Sequence, residues 1–213
     1  MINIIRFDVS HAGLIFSTMA SNSLNMNLIS DQQIAILADH GVNQNELGVI
    51  RDRLEKSGVH VHVVSARKTE VKAWKDDNWG IRIKVDRQIS EVNPEDFHGI
   101  LIPGGVLHAD TMRENSQIRD FVKQLFASGR LIGAMGHGIQ VLMDAEIVDG
   151  RQVTASKSLK TDVVLAGGLW VDEDVVNDNG LITSRYETDL EKFTEIYLDT
   201  LRKGITQRTS TVI

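Results

Sequence analysis

Three short apolar runs, each ending in a glycine-bearing turn, constrain the fold of this chain more than any other feature. Ile34 to Ala38 precedes Asp39-His40-Gly41, Gly99 to Ile102 precedes Pro103-Gly104-Gly105, and Leu131 to Met135 precedes Gly136-His137-Gly138. A continuous apolar run marks a strand covered on both faces, as strands of a parallel sheet are. Helical spacing separates the runs. Leu47, Ile50 and Leu54 repeat along residues 46–56, and Gly58 ends that helix before Val59, Val61, Val63 and Val64 form the next strand. A right-handed crossover makes the two flanking strands parallel. Residues 115–127 form an amphipathic helix through Ile118, Phe121, Val122, Leu125 and Phe126, residues 139–145 continue from the third turn as helix, and residues 189–203 form the closing helix.

Other segments depart from this alternation. Asn78-Trp79-Gly80 followed by alternating Ile81, Ile83 and Val85 predicts a small hairpin over residues 70–85. Trp74 and Trp79 there suit either hairpin packing or a subunit interface, where aromatic residues are enriched. Val153-Thr154 reads as a short strand and residues 159–166 as helix. Residues 171–176 and 181–184 read as strands joined by Asn177-Asp178-Asn179-Gly180. The pattern predicts an α/β fold: a flavodoxin-like, open, mostly parallel sheet with helices on both faces. One domain over residues 32–205 is expected, with an N-terminal extension (1–31) and a C-terminal tail (206–213). In such sheets ligands bind beyond the carboxyl ends of the strands. The turns at 39–46, 103–110 and 136–138 occupy that position.

Composition narrows the chemistry. The net charge of −6 leaves no basic footprint, so no nucleic-acid partner is expected. No apolar run is long enough to span a bilayer, so no membrane partner is expected either. Arg6 followed by Ala12 to Ala20 has the outline of a secretory signal, but Asp8 and His11 precede the apolar stretch and Ser17 and Thr18 break it. The expected location is cytoplasmic. The chain contains no cysteine, which excludes disulfides, a thiolate nucleophile and thiolate metal sites.

Leu131 to Gln140 is a strand, a tight turn and an immediate helix, the layout of a nucleophile elbow. An elbow lifts its middle residue above the sheet beside the N–H groups that open the helix, where an anion is stabilised. The middle residue here is Gly136, which has no side chain.

These residues resemble the ThiJ/PfpI superfamily, especially its PfpI-type intracellular protease and stress-protein branch. That family shares its sandwich with class I glutamine amidotransferases. Its elbow, Ala-(Ile/Val)-Cys-His-Gly, is matched by Ala134-Met135-Gly136-His137-Gly138, and its strand-end Pro-Gly-Gly by Pro103-Gly104-Gly105. Leu159-Lys160-Thr161-Asp162, Ala166-Gly167, Trp170-Val171-Asp172-Glu173 and Gly180 to Arg185 resemble further segments in the same order. The resemblance implies that Gly136 stands at the nucleophile position, His137 beside it, and Glu46 where a buried glutamate holds the thiol. It implies Asp110 as the acidic residue that reaches the histidine across a subunit boundary. Backbone N–H groups around Gly104, Gly105, His137 and Gly138 become the anion-binding donors. Ala155-Ser156-Lys157-Ser158 departs from the branch, which often has an aromatic residue and a proline there.

Three functions are compatible with this pattern. The main expectation is a catalytically silent scaffold that binds a small anionic or carbonyl ligand, with a stress-related role implied by resemblance alone. The second is a cysteine-independent hydrolase, glyoxalase-like or hydratase-like enzyme using Glu46 and His137. The third is a cysteine enzyme of the family with its nucleophile exchanged. A homodimer or higher oligomer is expected, and neither metal nor cofactor. His60 and His62 share a strand face, and His40, His108 and His137 sit near the strand ends, where converging turns would bring them together. A solvated edge explains the first pair more simply than a metal site.

Overall fold

A computed structural model of the protein describes residues 29–204. The expected extension up to residue 28 and the expected tail lie outside the described residues. Ile29, within the expected extension, is fully buried against the core.

The first unit is β1 (Gln33–Leu37), α1 (Gln44–Lys56) and β2 (His60–Ser65), with β1 and β2 parallel. A hairpin of β3 (Glu70–Lys75) and β4 (Asn78–Lys84) follows, then a two-residue strand, β5 (Arg87–Gln88). The chain re-enters the sheet as β6 (Gly99–Ile102) and leaves through α2 (Val106–Glu114) and α3 (Ser116–Ala127). Next come β7 (Leu131–Met135), a 3-10 turn at Gly136–Gly138, and α4 (Ile139–Asp144). The last part holds β8 (Gln152–Val153), α5 (Lys160–Leu165), β9 (Leu169–Trp170), β10 (Val175–Asp178), β11 (Leu181–Ser184) and α6 (Leu190–Lys203).

The main sheet has the order β10-β11-β7-β6-β1-β2-β5, and only β10 runs antiparallel to its neighbour. The α/β expectation is met. Side chains of successive strand residues point to opposite faces, and the core divides accordingly. Ala35, Ile100, Ile102, Ile132 and Ala134 pack with Met112, Phe121 and Val122 on one face. Ile34, Ile36 and Leu101 pack with Leu47, Ile50, Leu54, Phe193 and Tyr197 on the other. Apolar residues are therefore needed at every position of the central strands, which is why those strands read as unbroken runs.

Two elements were misread: the strand expected over residues 171–176 runs instead over Val175–Asp178, and the other is a helix. Residues 106–110 were expected to prolong the Pro-Gly-Gly turn, but α2 begins at Val106. Its inner face is His108, Ala109 and Met112, and a histidine among so few apolar residues masks the helical period.

Asn43 caps α1: its side-chain oxygen accepts from the N–H groups of Asn45 (3.0 Å) and Glu46 (3.1 Å). Asn43→Ala is expected to lower stability by about 1 kcal/mol, as loss of such a cap does. Urea unfolding of the two proteins checks this.

Candidate active-site cleft

The carboxyl ends of β1, β6, β7 and β11 open into one cleft of about 490 Å³. Glu46 and Trp74 form one wall, Gly104 to Leu107 another, Gly136 and His137 the floor, and Ser156 with Arg185 to Glu187 the far side.

Gly136 ends β7 at φ +50°, in the left-handed region where an L side chain costs about 1–3 kcal/mol and glycine almost nothing. The space above it is open. A Cβ built on Gly136 would meet only the Arg185 carbonyl oxygen and Ser156 Oγ, both at 3.4 Å, and Ser156 Oγ–H donates to that carbonyl (3.2 Å). Conformation, not crowding, is what favours glycine here.

Glu46 stands in the first turn of α1 and is 4% exposed. Its Oε2 accepts from the Gly104 N–H (2.5 Å) and its Oε1 from Asn43 Nδ2 (3.2 Å). Burial pushes its pKa up to about 7, against the lowering effect of the Gly104 bond, and the nearby Glu187 carboxylate raises it further. Asn43 Nδ2 and Asn45 Nδ2 also donate to the two oxygens of Glu187 (3.1 and 2.6 Å), which ties the 185–187 loop to the α1 cap.

His137 is half-buried on the cleft floor, and desolvation lowers its pKa, favouring the neutral imidazole. Arg185 is held by Asp172 (2.9 Å), Asp174 and Asp189 (3.4 Å), and the first of these hydrogen bonds does most to raise its pKa.

The structure brings Glu46, Gly104, Gly105, Gly136 and His137 together and changes the reading of two glycines. The Gly104 N–H is occupied by Glu46, so it is not a vacant anion donor. Gly138 does not line the cleft; its Cα faces the Ile102 and Pro103 carbonyls, which a Cβ would approach to 2.6 and 2.8 Å. Its role is to let the turn pack on the end of β6. Asp110, expected to act across a subunit boundary, is exposed on α2, outside the cleft of its own chain. The histidines of the strand ends do not converge on a metal. His108 Nδ1 accepts from the Asp39 N–H (3.0 Å), its Nε2–H donates to the Pro103 carbonyl (3.1 Å), and burial depresses its pKa to about 4. His40 Nδ1 accepts from the Lys72 N–H (2.9 Å), and His62 Nε2 contacts Gln33 Oε1 (2.7 Å). Among the described residues, no group of three or more His, Cys, Asp or Glu side chains could hold a metal.

The sequence and the fold are similar to those of known proteins. The DJ-1/PfpI family model matches residues 32–200, most of the chain. The chain belongs to the DJ-1/PfpI family. It is similar to a deglycase of Thermococcus kodakarensis, at 28% identity over 170 residues that cover 80% of this chain and 99% of the relative. It is also similar to protein/nucleic acid deglycase 2 of Escherichia coli, at 32% identity over 164 residues, 76% of this chain and 93% of the relative. Among solved structures it resembles a two-domain protein of Anabaena variabilis with DJ-1/ThiJ/PfpI-like and ferritin-like domains. That match has a TM-score of 0.75 and 29% identity, and covers 85% of this chain and 52% of the other. DJ-1/PfpI membership thus rests on the full length of the sheet and not on the elbow alone.

Trp74, Arg185, Tyr186 and Glu187 were not foreseen as cleft residues. Arg185 to Glu187 directly follow β11, so the rule that ligands lie beyond strand carboxyl ends could have found them. Trp74 arrives from the hairpin, outside the main sheet, and no sequence signal placed it there.

Proposed function

We propose that this chain is a catalytically silent DJ-1/PfpI protein that binds a small molecule in the cleft over Gly136. The observation that carries the reading is Gly136 itself: a residue at φ +50° on the cleft floor at the end of β7, in a chain with no cysteine. The elbow keeps its shape and lacks an atom that could attack. Ser156 Oγ, the nearest hydroxyl to the open space, is hydrogen-bonded to a carbonyl and not to a base.

A second reading is favoured by Glu46. Its pKa near 7 suits proton transfer at neutral pH, and relatives carry the name deglycase. Glu46 and His137 would then act on water or a small carbonyl compound without a covalent intermediate.

Turnover separates the two. The silent reading predicts that purified protein consumes neither methylglyoxal nor a peptide substrate above the buffer rate. Sustained turnover of either compound would favour the second reading.

A further inference from the structure

The cleft reverses the usual order of burial. Its deep residues are polar or bare backbone: Glu46, Gly104, Gly136 and Ser156 are buried. Its rim is apolar: Val106 is 58% exposed, Leu107 52% and Tyr186 40%, with Trp74 half-buried beside them. The helical period sets this rim. α2 turns His108, Ala109 and Met112 inward, so its first two residues, Val106 and Leu107, stand outside the core. Single exposed apolar side chains need no explanation, but four around one cavity are the mark of a ligand-binding groove. The interior offers both kinds of hydrogen-bonding group. The Arg185 carbonyl and Ser156 Oγ accept beside the open seat over Gly136. Gly105 and His137 bring backbone N–H groups to the lining, and the Tyr186 hydroxyl, which accepts from the Lys157 N–H (3.2 Å), keeps its own hydrogen to donate. Glu46, with a pKa near 7, accepts or donates according to its protonation.

We propose that the cleft takes an amphipathic small molecule, with a head that both donates and accepts hydrogen bonds seated over Gly136 and an apolar body lying along Trp74, Val106, Leu107 and Tyr186 at the rim. This rests on the binding-cleft reading and names its ligand class. The seat exists because residue 136 has no side chain: even a methyl group there would occupy it. A ligand without the polar head leaves buried groups unpartnered and keeps their desolvation cost. A ligand without the apolar body leaves the rim in water and forgoes the gain of covering it.

The test is a titration of the full isotope-labelled chain with 1-propanol, 1-hexanol and 1,6-hexanediol, read at the backbone amides of Gly105, Gly136 and His137. The hydroxyl supplies a head of the required kind, and the chain is what varies. 1-Hexanol should bind at least about tenfold more tightly than 1-propanol, as the added methylenes leave water at the rim. 1,6-Hexanediol, equally long but polar at its far end, should bind more weakly than 1-hexanol. The double variant Val106→Ser with Leu107→Ser should bring 1-hexanol down toward 1-propanol. Leu165→Ser, which removes an exposed apolar side chain outside the cleft, should leave the difference unchanged. 1-Hexanol binding no tighter than 1-propanol would overturn the amphipathic ligand while leaving a binding cleft in place. A double variant that keeps the full difference and instead lowers the particle mass in light scattering would make the rim a subunit contact and also overturn the proposal. Amides that none of the three probes moves at about 50 mM, far above the millimolar range of weak binding, would overturn the binding-cleft reading itself.

Discussion

Gly136→Cys is expected to fold, to lose about 1–3 kcal/mol of stability, and to gain a thiol that is alkylated near neutral pH. The cost comes from the backbone: residue 136 holds φ +50°, and an L side chain must be forced there while glycine is not. Steric crowding adds little, since the new Cβ would rest at 3.4 Å from both of its nearest neighbours. The thiol would stand on the cleft floor, at the turn whose N–H groups open the 3-10 segment and α4. Urea unfolding measures the first effect, and the pH dependence of iodoacetamide labelling measures the second. A cysteine variant as stable as the parent would mean that the elbow carries no strain. A thiol that labels only above the ordinary cysteine range, near pH 8.5, would mean that the turn does not favour the thiolate.

The second large effect is a pH dependence set by one buried carboxyl. Glu46 has a pKa near 7 in the folded protein and a reference value of 4.5. The folded state therefore binds this proton more tightly than the unfolded chain does. Stability contributed by the protonated group is fully present below pH 4.5, declines as pH rises through the window to about 7, and is absent above it. At about 1.4 kcal/mol per pKa unit the loss is roughly 3 kcal/mol. Glu46→Gln carries no titrating group, so its stability relative to the parent should climb by that amount between pH 4.5 and 7.5. Urea unfolding of both proteins across the window isolates the effect, because other titrating groups cancel in the difference. Parallel profiles would show that Glu46 titrates normally and that the cleft wall is wetter than its geometry implies.

The sheet was legible because burial on both faces leaves a plain sequence record. β1, β6 and β7 are apolar at nearly every position, and each is followed by a turn with a glycine at positive φ, Gly41, Gly105 or Gly136. α1 and α3 were legible from helical spacing and from residues such as Gly58 that close them. α2 was not, since its inward face includes His108, whose ring is satisfied by Asp39 and Pro103 in a way only the fold reveals. The two-residue strands β5 and β9 are too short to carry any period.

At the cleft, Glu46, Gly136 and His137 were named from the sequence and line one cavity in the structure, while what surrounds them was not legible. Gly104 looked like a free donor because its partner, Glu46, lies 58 residues earlier in the chain. Ser156 stood out as a departure from the family pattern, but its position beside the empty seat of Gly136 depends on the register of β11 and the loop after β8.

The central claim is that the cleft binds without chemistry because no nucleophile stands at residue 136. The most direct measurement is methylglyoxal consumption by the parent protein, Gly136→Cys, Glu46→Gln and His137→Ala in one assay. The account predicts the buffer rate for the parent and for the Glu46 and His137 variants, with consumption rising only in the cysteine variant. Turnover by the parent that disappears in Glu46→Gln or His137→Ala would contradict it and make those two residues the working machinery of a cysteine-independent enzyme.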